Sequence, residues 1–180
     1  LALQGPGDLA RLATDTYWGK GSQTARLWRP VTLVSLGLER TLRGPHPNGF
    51  HRTNVALHGL ASLLALLLLR RLLAPRTALF GAALFALHPV HGEAVGGIVC
   101  RSEILALIFT LAGTLLHLIG RSREAGPEPK RSRPLGCYAA AATAFFLAFG
   151  SKEIALTAPF VLVLVEAALR RNTGTRPCRW

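Results

Sequence analysis

Between positions 88 and 103 the chain reads HPVHGEAVGGIVCRSE, which sets two histidines, two carboxylates and an arginine between stretches of almost pure hydrocarbon. His88 and His91 are three positions apart and Glu93 follows two later. Imidazoles and a carboxylate at this density have three uses: ligating a metal ion, hydrogen-bonding the end of a broken helix, or lining a site for a phosphate or sugar. The H-x-x-H-x-E spacing is not diagnostic of a metal, and Cys100, Cys137 and Cys178 are too scattered to add ligands, so no metal ligands are assigned although a divalent ion would suit such chemistry. Arg101 and Glu103 follow; the guanidinium fork fits a phosphate in bidentate fashion and equally fits an anchoring pair with Glu103. Lys152 and Glu153 stand in 151-SKE-153, and Arg29 in 28-WRP-30. Together Arg29, Arg101 and Lys152 suit a diffuse anion such as a lipid phosphate. His58 and His117 fall inside apolar runs and read as buried, hydrogen-bonded helix residues.

The elements that must position these groups are membrane helices. Half of the 180 residues are hydrophobic, 17% are charged and the formal net charge is +12, with a mean hydropathy of +0.34. A nucleic-acid binder of that charge spreads basic residues over a polar surface, whereas here they sit in clusters between apolar runs, the pattern of a multi-span membrane protein with no nucleic-acid partner. The expected fold is therefore all-α, a polytopic helical bundle of about five spans over 53–71, 77–97, 103–120, 135–150 and 154–170. Residues 1–52 read as an external loop with amphipathic helices at Asp8–Asp15 and Pro30–Leu42 lying on the membrane surface, flanked by Trp18 and Trp28. In the second of these Val31, Val34, Leu38 and Leu42 recur at helical spacing. Residues 53–171 form the bundle and 172–180 a cytoplasmic tail. Arg70, Arg71 and Arg76, the loop 121-RSREAGPEPKRSR-133 and the segment from Arg170 onward all fall on one side, which the positive-inside rule makes cytoplasmic. The HPVH motif and SKE then share the opposite side with residues 1–52. The second span is anomalous: 77-TALFGAALFAL-87 is too short for an apolar core of roughly 30 Å, and Pro89 disfavours helix at His88. The motif is expected at or within membrane depth, where ionisable groups are costly and so usually functional.

The order 15-DTYWG-19, 28-WRPVTLVSLGLER-40, 49-GFHRTNVALHGL-60, 88-HPVHGEAVGGIVCRSE-103, 151-SKE-153 closely resembles the membrane part of the transmembrane and tetratricopeptide-repeat O-mannosyltransferases. These belong to the GT-C class, with the dolichyl-phosphate-mannose protein mannosyltransferases. The resemblance runs from about Asp8 to Arg171. It implies a multi-pass enzyme of a bacterial inner membrane or endoplasmic reticulum that moves a sugar, commonly mannose, from a polyprenyl-phosphate donor to protein Ser/Thr hydroxyls on the lumenal or periplasmic face. It implies no certain cofactor, with lipid, the lipid-linked sugar and an acceptor protein as partners. The donor and its phosphate would meet Arg29, His88, His91, Glu93, Arg101, Glu103, Lys152 and Glu153. The family's acidic catalytic motif follows its first span and is expected upstream of residue 1, so Asp15 is not assigned as base and the segment alone is expected to be inactive. A transporter or ion pathway built on a broken helix, or a non-catalytic membrane scaffold, are the rival readings.

Overall fold

The computed structural model describes residues 27–124 and 132–173; the helix expected at Asp8–Asp15, the D-x-Y-W-G element and the C-terminal tail lie outside them. Helices α1 (Pro30–Arg43), α2 (Pro47–Leu72) and α3 (Pro75–Leu87) come first, then a 3-10 turn (Pro89–His91) and the short α4 (Gly92–Gly96). Helices α5 (Arg101–Glu124) and α6 (Ser132–Ser151), a 3-10 stretch (Glu153–Thr157) and α7 (Ala158–Thr173) complete the series. Three of the helices open on a proline, Pro30, Pro47 and Pro75, whose missing N–H is no loss in a first turn. Gly44, with φ +80°, ends α1; a side chain there would be strained, and the chain turns at once into α2.

Helix α2 begins at Pro47 rather than at Thr53, so residues 47–52, Phe50 among them, become helical residues of the span instead of loop residues. Three helices, Pro47–Leu72, Arg101–Glu124 and Pro134–Ser151, are long and apolar enough to cross a membrane, which makes this a multi-pass integral membrane protein. A fourth crossing results if α3 and Pro89–Gly96, bent by 44°, count as one broken span. Helix α3 alone covers 13 residues, about 20 Å at 1.5 Å per residue, as the sequence implied. Among the described residues, three helices meet the length and apolarity of a span, or four with the broken pair, where about five were expected. The fifth stretch opens as a 3-10 segment at Glu153–Thr157 and leaves α7 with only 16 residues, about 24 Å.

The bundle is held by small residues. Along the α5–α6 seam, a Cβ on Gly113 would come within 3.0 Å of the Phe145 ring and one on Gly120 within 2.9 Å of Tyr138. Ala106 and Ala148 are buried with Ala155 further along. Close approach of this kind is how helices associate where the solvent itself is apolar. Helix α2 runs in the same direction as α5: Ala61 packs with Ile104 and Ile108, and Leu68 with Leu115, Leu118 and Val165. Phe80, Leu84, Phe146, Phe160 and Leu164 point outward, as side chains facing lipid must. One end of the bundle therefore carries Arg101, Lys152 and the HPVH turn; the other carries Arg70, Arg71, Arg121 and Arg170.

Candidate functional site

The Arg101 end is organised by one fully buried guanidinium. Arg101 Nε donates to Asn54 Oδ1 at 2.8 Å, Nη1 to Ser35 Oγ at 3.4 Å and Nη2 to the Phe50 carbonyl at 3.2 Å. Its Nη2 also stands 2.5 Å from Glu39 Oε2. That oxygen is buried without a well-aligned hydrogen bond, so its compensation is ionic. Glu39 Oε1 accepts from Thr53 Oγ1, and the Phe50 ring lies 5.6 Å from the guanidinium carbon. With its donors engaged and no exposed surface, Arg101 is a cross-brace joining α1, α2 and α5 and is not presented to a lipid phosphate.

Glu39 and Asn54 are the partners that reading along the chain passes over. Thr32, Ser35 and Glu39 follow one another at spacings of three and four, so they share one face of α1. That polar face is the inner one: Thr32 and Glu39 are buried, and Thr32 Oγ1 donates to the Ser151 carbonyl at 2.9 Å. The later part of the apolar stripe turns the other way, with Leu38 and Leu42 exposed. Amphipathicity identified the helix but not the face that meets the protein.

Arg29 and Lys152 are paired too. Arg29 donates from Nε and Nη2 to the two oxygens of Glu153, at 3.0 and 2.6 Å; this bidentate hydrogen bonding holds the Glu153 carboxyl below its ordinary range. Lys152 Nζ lies 2.6 Å from Glu103 Oε1. Arg29, Arg101 and Lys152 thus do not form one anion-binding cluster; each meets its own carboxylate, Glu153, Glu39 and Glu103.

The HPVH turn is where unspent polar groups gather. His88 Nδ1 accepts the Val90 N–H at 3.2 Å, which leaves the proton of the neutral ring on Nε2 and outward as a donor. His91 stacks on Phe85 at 4.4 Å between centroids and lies 5.0 Å from His58. His58, dismissed on sequence as a core residue, in fact joins this cluster, and its Nε2 donates to the Ala86 carbonyl at 3.0 Å. Glu93 is exposed, and no hydrogen bond or ion pair among the described residues engages its carboxylate. No group of three His, Cys, Asp or Glu among the described residues could hold a metal ion. What the turn can do is offer hydrogen-bond donors and a carboxylate acceptor, the pairing that sugar hydroxyls and phosphate oxygens call for.

Several known proteins are similar to this chain in sequence. The mouse protein O-mannosyl-transferase TMTC3 is 32% identical over 123 residues, 67% of this chain and 13% of that protein. The Drosophila melanogaster protein O-mannosyl-transferase Tmtc2 is 36% identical over 164 residues, 87% of this chain and 17% of its own length. The mouse protein O-mannosyl-transferase TMTC4 is 36% identical over 131 residues, 63% of this chain and 18% of that protein. The chain thus spans less than a fifth of the curated relatives it matches. No family model and no solved structure matches it.

Proposed function

Because this chain belongs to the protein O-mannosyl-transferase family, we propose that it is part of the membrane domain of a GT-C glycosyltransferase. The observation that carries the reading is the shared sequence, which extends over 87% of the chain in one relative. In this reading the donor is a polyprenyl-phosphate sugar, most simply mannose, and the acceptor is a Ser or Thr hydroxyl of a protein. The Arg101 end faces the lumen or periplasm and the arginine-rich end the cytoplasm, in keeping with the positive-inside rule. Residues of this chain bind and orient. The Nε2–H of His88 and the ring nitrogens of His91 hydrogen-bond the sugar or its phosphate, and the unpartnered Glu93 accepts from sugar hydroxyls. The pairs Arg29–Glu153 and Lys152–Glu103 supply further polar groups at the same end of the bundle. Arg101, being enclosed, supports the site without touching the donor.

The deciding experiment is transfer of labelled mannose from polyprenyl-phosphate mannose to a Ser/Thr peptide by the intact parent protein in vesicles, with and without chelator. Donor-dependent labelling that falls at least about tenfold in Glu93→Gln, as when a substrate-positioning contact is lost, is the expected result. No transfer by intact folded protein, or full transfer by the variant, would remove the function or the assignment of Glu93 respectively.

A further inference from the structure

The amide of Asn54 has an orientation that is forced on both sides. Asn54 is fully buried in α2. Its Oδ1 accepts from Arg101 Nε at 2.8 Å, and its Nδ2 points at the carbonyls of Val95 and Gly97, at 3.4 and 3.1 Å. Arginine can only donate and carbonyls can only accept, so the amide has one permitted orientation. Arg101 is itself immobilised by Glu39, Ser35 and the Phe50 carbonyl. A chain of contacts therefore runs from α1 through Arg101 and Asn54 to the last turn of α4, the five-residue helix that carries Glu93. So short a helix has no stability of its own. The end that Asn54 grips has little room to shift: Gly97 N–H bonds back to the Glu93 carbonyl at 2.9 Å, and a Cβ on Gly97 would stand 2.9 Å from Cys100 Sγ.

We propose that Asn54 is a positioning residue, whose amide, aimed by Arg101, clamps the end of α4 and thereby fixes Glu93 and His91 for the polar ligand of the HPVH turn. The proposal rests on the reading of that turn as substrate-facing, but its structural half stands apart from it. No other residue type does the same work. Aspartate has nearly the same shape and keeps the bond to Arg101, but as a carboxylate it faces the Val95 and Gly97 carbonyls with acceptors only. Leucine keeps the volume and forfeits both bonds.

The measurement is amide hydrogen exchange on the intact parent protein in detergent, paired with mannose transfer, for the unsubstituted protein and Asn54→Asp. In the variant, exchange of amides 93–97 should speed up about tenfold, the scale of one lost buried hydrogen bond. Exchange in the middle of α2, around Ala61–Leu68, should not change. Turnover should drop about a hundredfold, as for a misplaced contact group. Unchanged exchange at 93–97, or equal acceleration throughout α2, would overturn the clamp, the latter by reducing Asn54 to a fold-wide stabiliser. If the variant does not fold, the unsubstituted protein decides. Segment 93–97 should exchange far more slowly than an unstructured peptide, and peptide-like rates would overturn the proposal. Absence of transfer already in the unsubstituted protein would defeat the functional reading while leaving the exchange result to judge the clamp.

Discussion

The two ends of the bundle use the same chemical ingredients to opposite effect. At the Arg101 end, Arg101, Arg29 and Lys152 each meet a different carboxylate, Glu39 also standing 3.8 Å from the exposed Arg43, and the central Arg101–Glu39 pair is enclosed by protein. At the other end a single carboxylate, Glu166, serves His117, Arg121 and Arg170. Its neighbours are open: the Arg170 side chain is 75% exposed and that of Arg121 40%, beside a groove of about 500 Å³ lined by His117, Leu162, Val163, Glu166, Ala167 and Arg170. A buried charge demands its own counter-charge because desolvation has removed every other source of stabilisation. A cation at an open rim is satisfied by water or by lipid phosphate, so a surplus of positive charge persists there without penalty. The difference teaches that the enclosed pairing of Arg101 with Glu39 is a condition of folding, whereas at the Glu166 end pairing is incidental to an electrostatic address.

The sharpest way to break that contrast is to delete one carboxylate at each end. Glu39→Gln leaves the Arg101 guanidinium enclosed without its counter-ion and should cost about 3–5 kcal/mol, the range for removing one partner of a buried pair. Glu166→Gln should cost no more than about 1 kcal/mol, the range for exposed pairs. Thermal unfolding of the intact protein in detergent measures both. Equal shifts in the two variants would mean that burial does not set the worth of these pairs. Replacing Glu39 and Arg101 together by leucine and methionine removes the uncompensated charge but strands Asn54 Oδ1 and the Phe50 carbonyl, so it should recover only part of the loss.

How much of this was legible beforehand follows from the same distinction. The spans, the broken second helix and the HPVH turn could be read because each is a contiguous pattern: an apolar run, a short run closed by proline, a dense polar stretch. The partnerships could not. Arg101 reads as a phosphate ligand or as an anchor paired with its neighbour Glu103, while its actual counter-ion, Glu39, is 62 positions away on another helix. Glu103 goes instead to Lys152. The inner face of α1 could not be read for a physical reason: in a membrane protein the apolar face of a helix can belong to lipid and the polar face to the protein. His58 was passed over because a lone histidine in an apolar run usually satisfies itself, as its bond to Ala86 does; only the fold brings His91 alongside it. Three to four crossing helices appear where five were expected because an apolar run does not guarantee one unbroken α-helix, as the 3-10 opening of α7 shows.

Packing supplies a control in which the two ends should behave alike. Gly150, near the Arg101 end, faces Val31 of α1, where an added Cβ would stand 2.9 Å from Cγ2. Gly120, towards the other end, faces Tyr138 at the same 2.9 Å, with the Cys137 Cβ at 3.2 Å. Gly150→Ala and Gly120→Ala should each destabilise by about 1–3 kcal/mol, the usual range for overpacking, with melting points falling by similar amounts. A large effect at one end only would show that the ends differ in packing as well as in charge, and would weaken an electrostatic account of the Glu39 and Glu166 variants.

The smallest effect lies at the rim of the Arg101 end, where Glu153 combines a bidentate partner with a side chain that is 48% exposed. Hydrogen bonds from Arg29 lower its pKa from the ordinary 4.5. A carboxyl whose folded pKa is depressed adds stability that is fully present above the unfolded value and is lost as pH falls through the folded one. At pH 7 the contribution is complete but screened by solvent, within about 1 kcal/mol. Glu153→Gln should therefore melt slightly below the unsubstituted protein at pH 7. The gap should hold down to about pH 4.5 and close only below it, as Glu153 takes up a proton and the ion pair to Arg29 is lost. A gap that persists undiminished in strong acid would mean that shape rather than charge joins Glu153 to Arg29. This rim pair would then belong with the packing contacts rather than with the buried brace at Arg101.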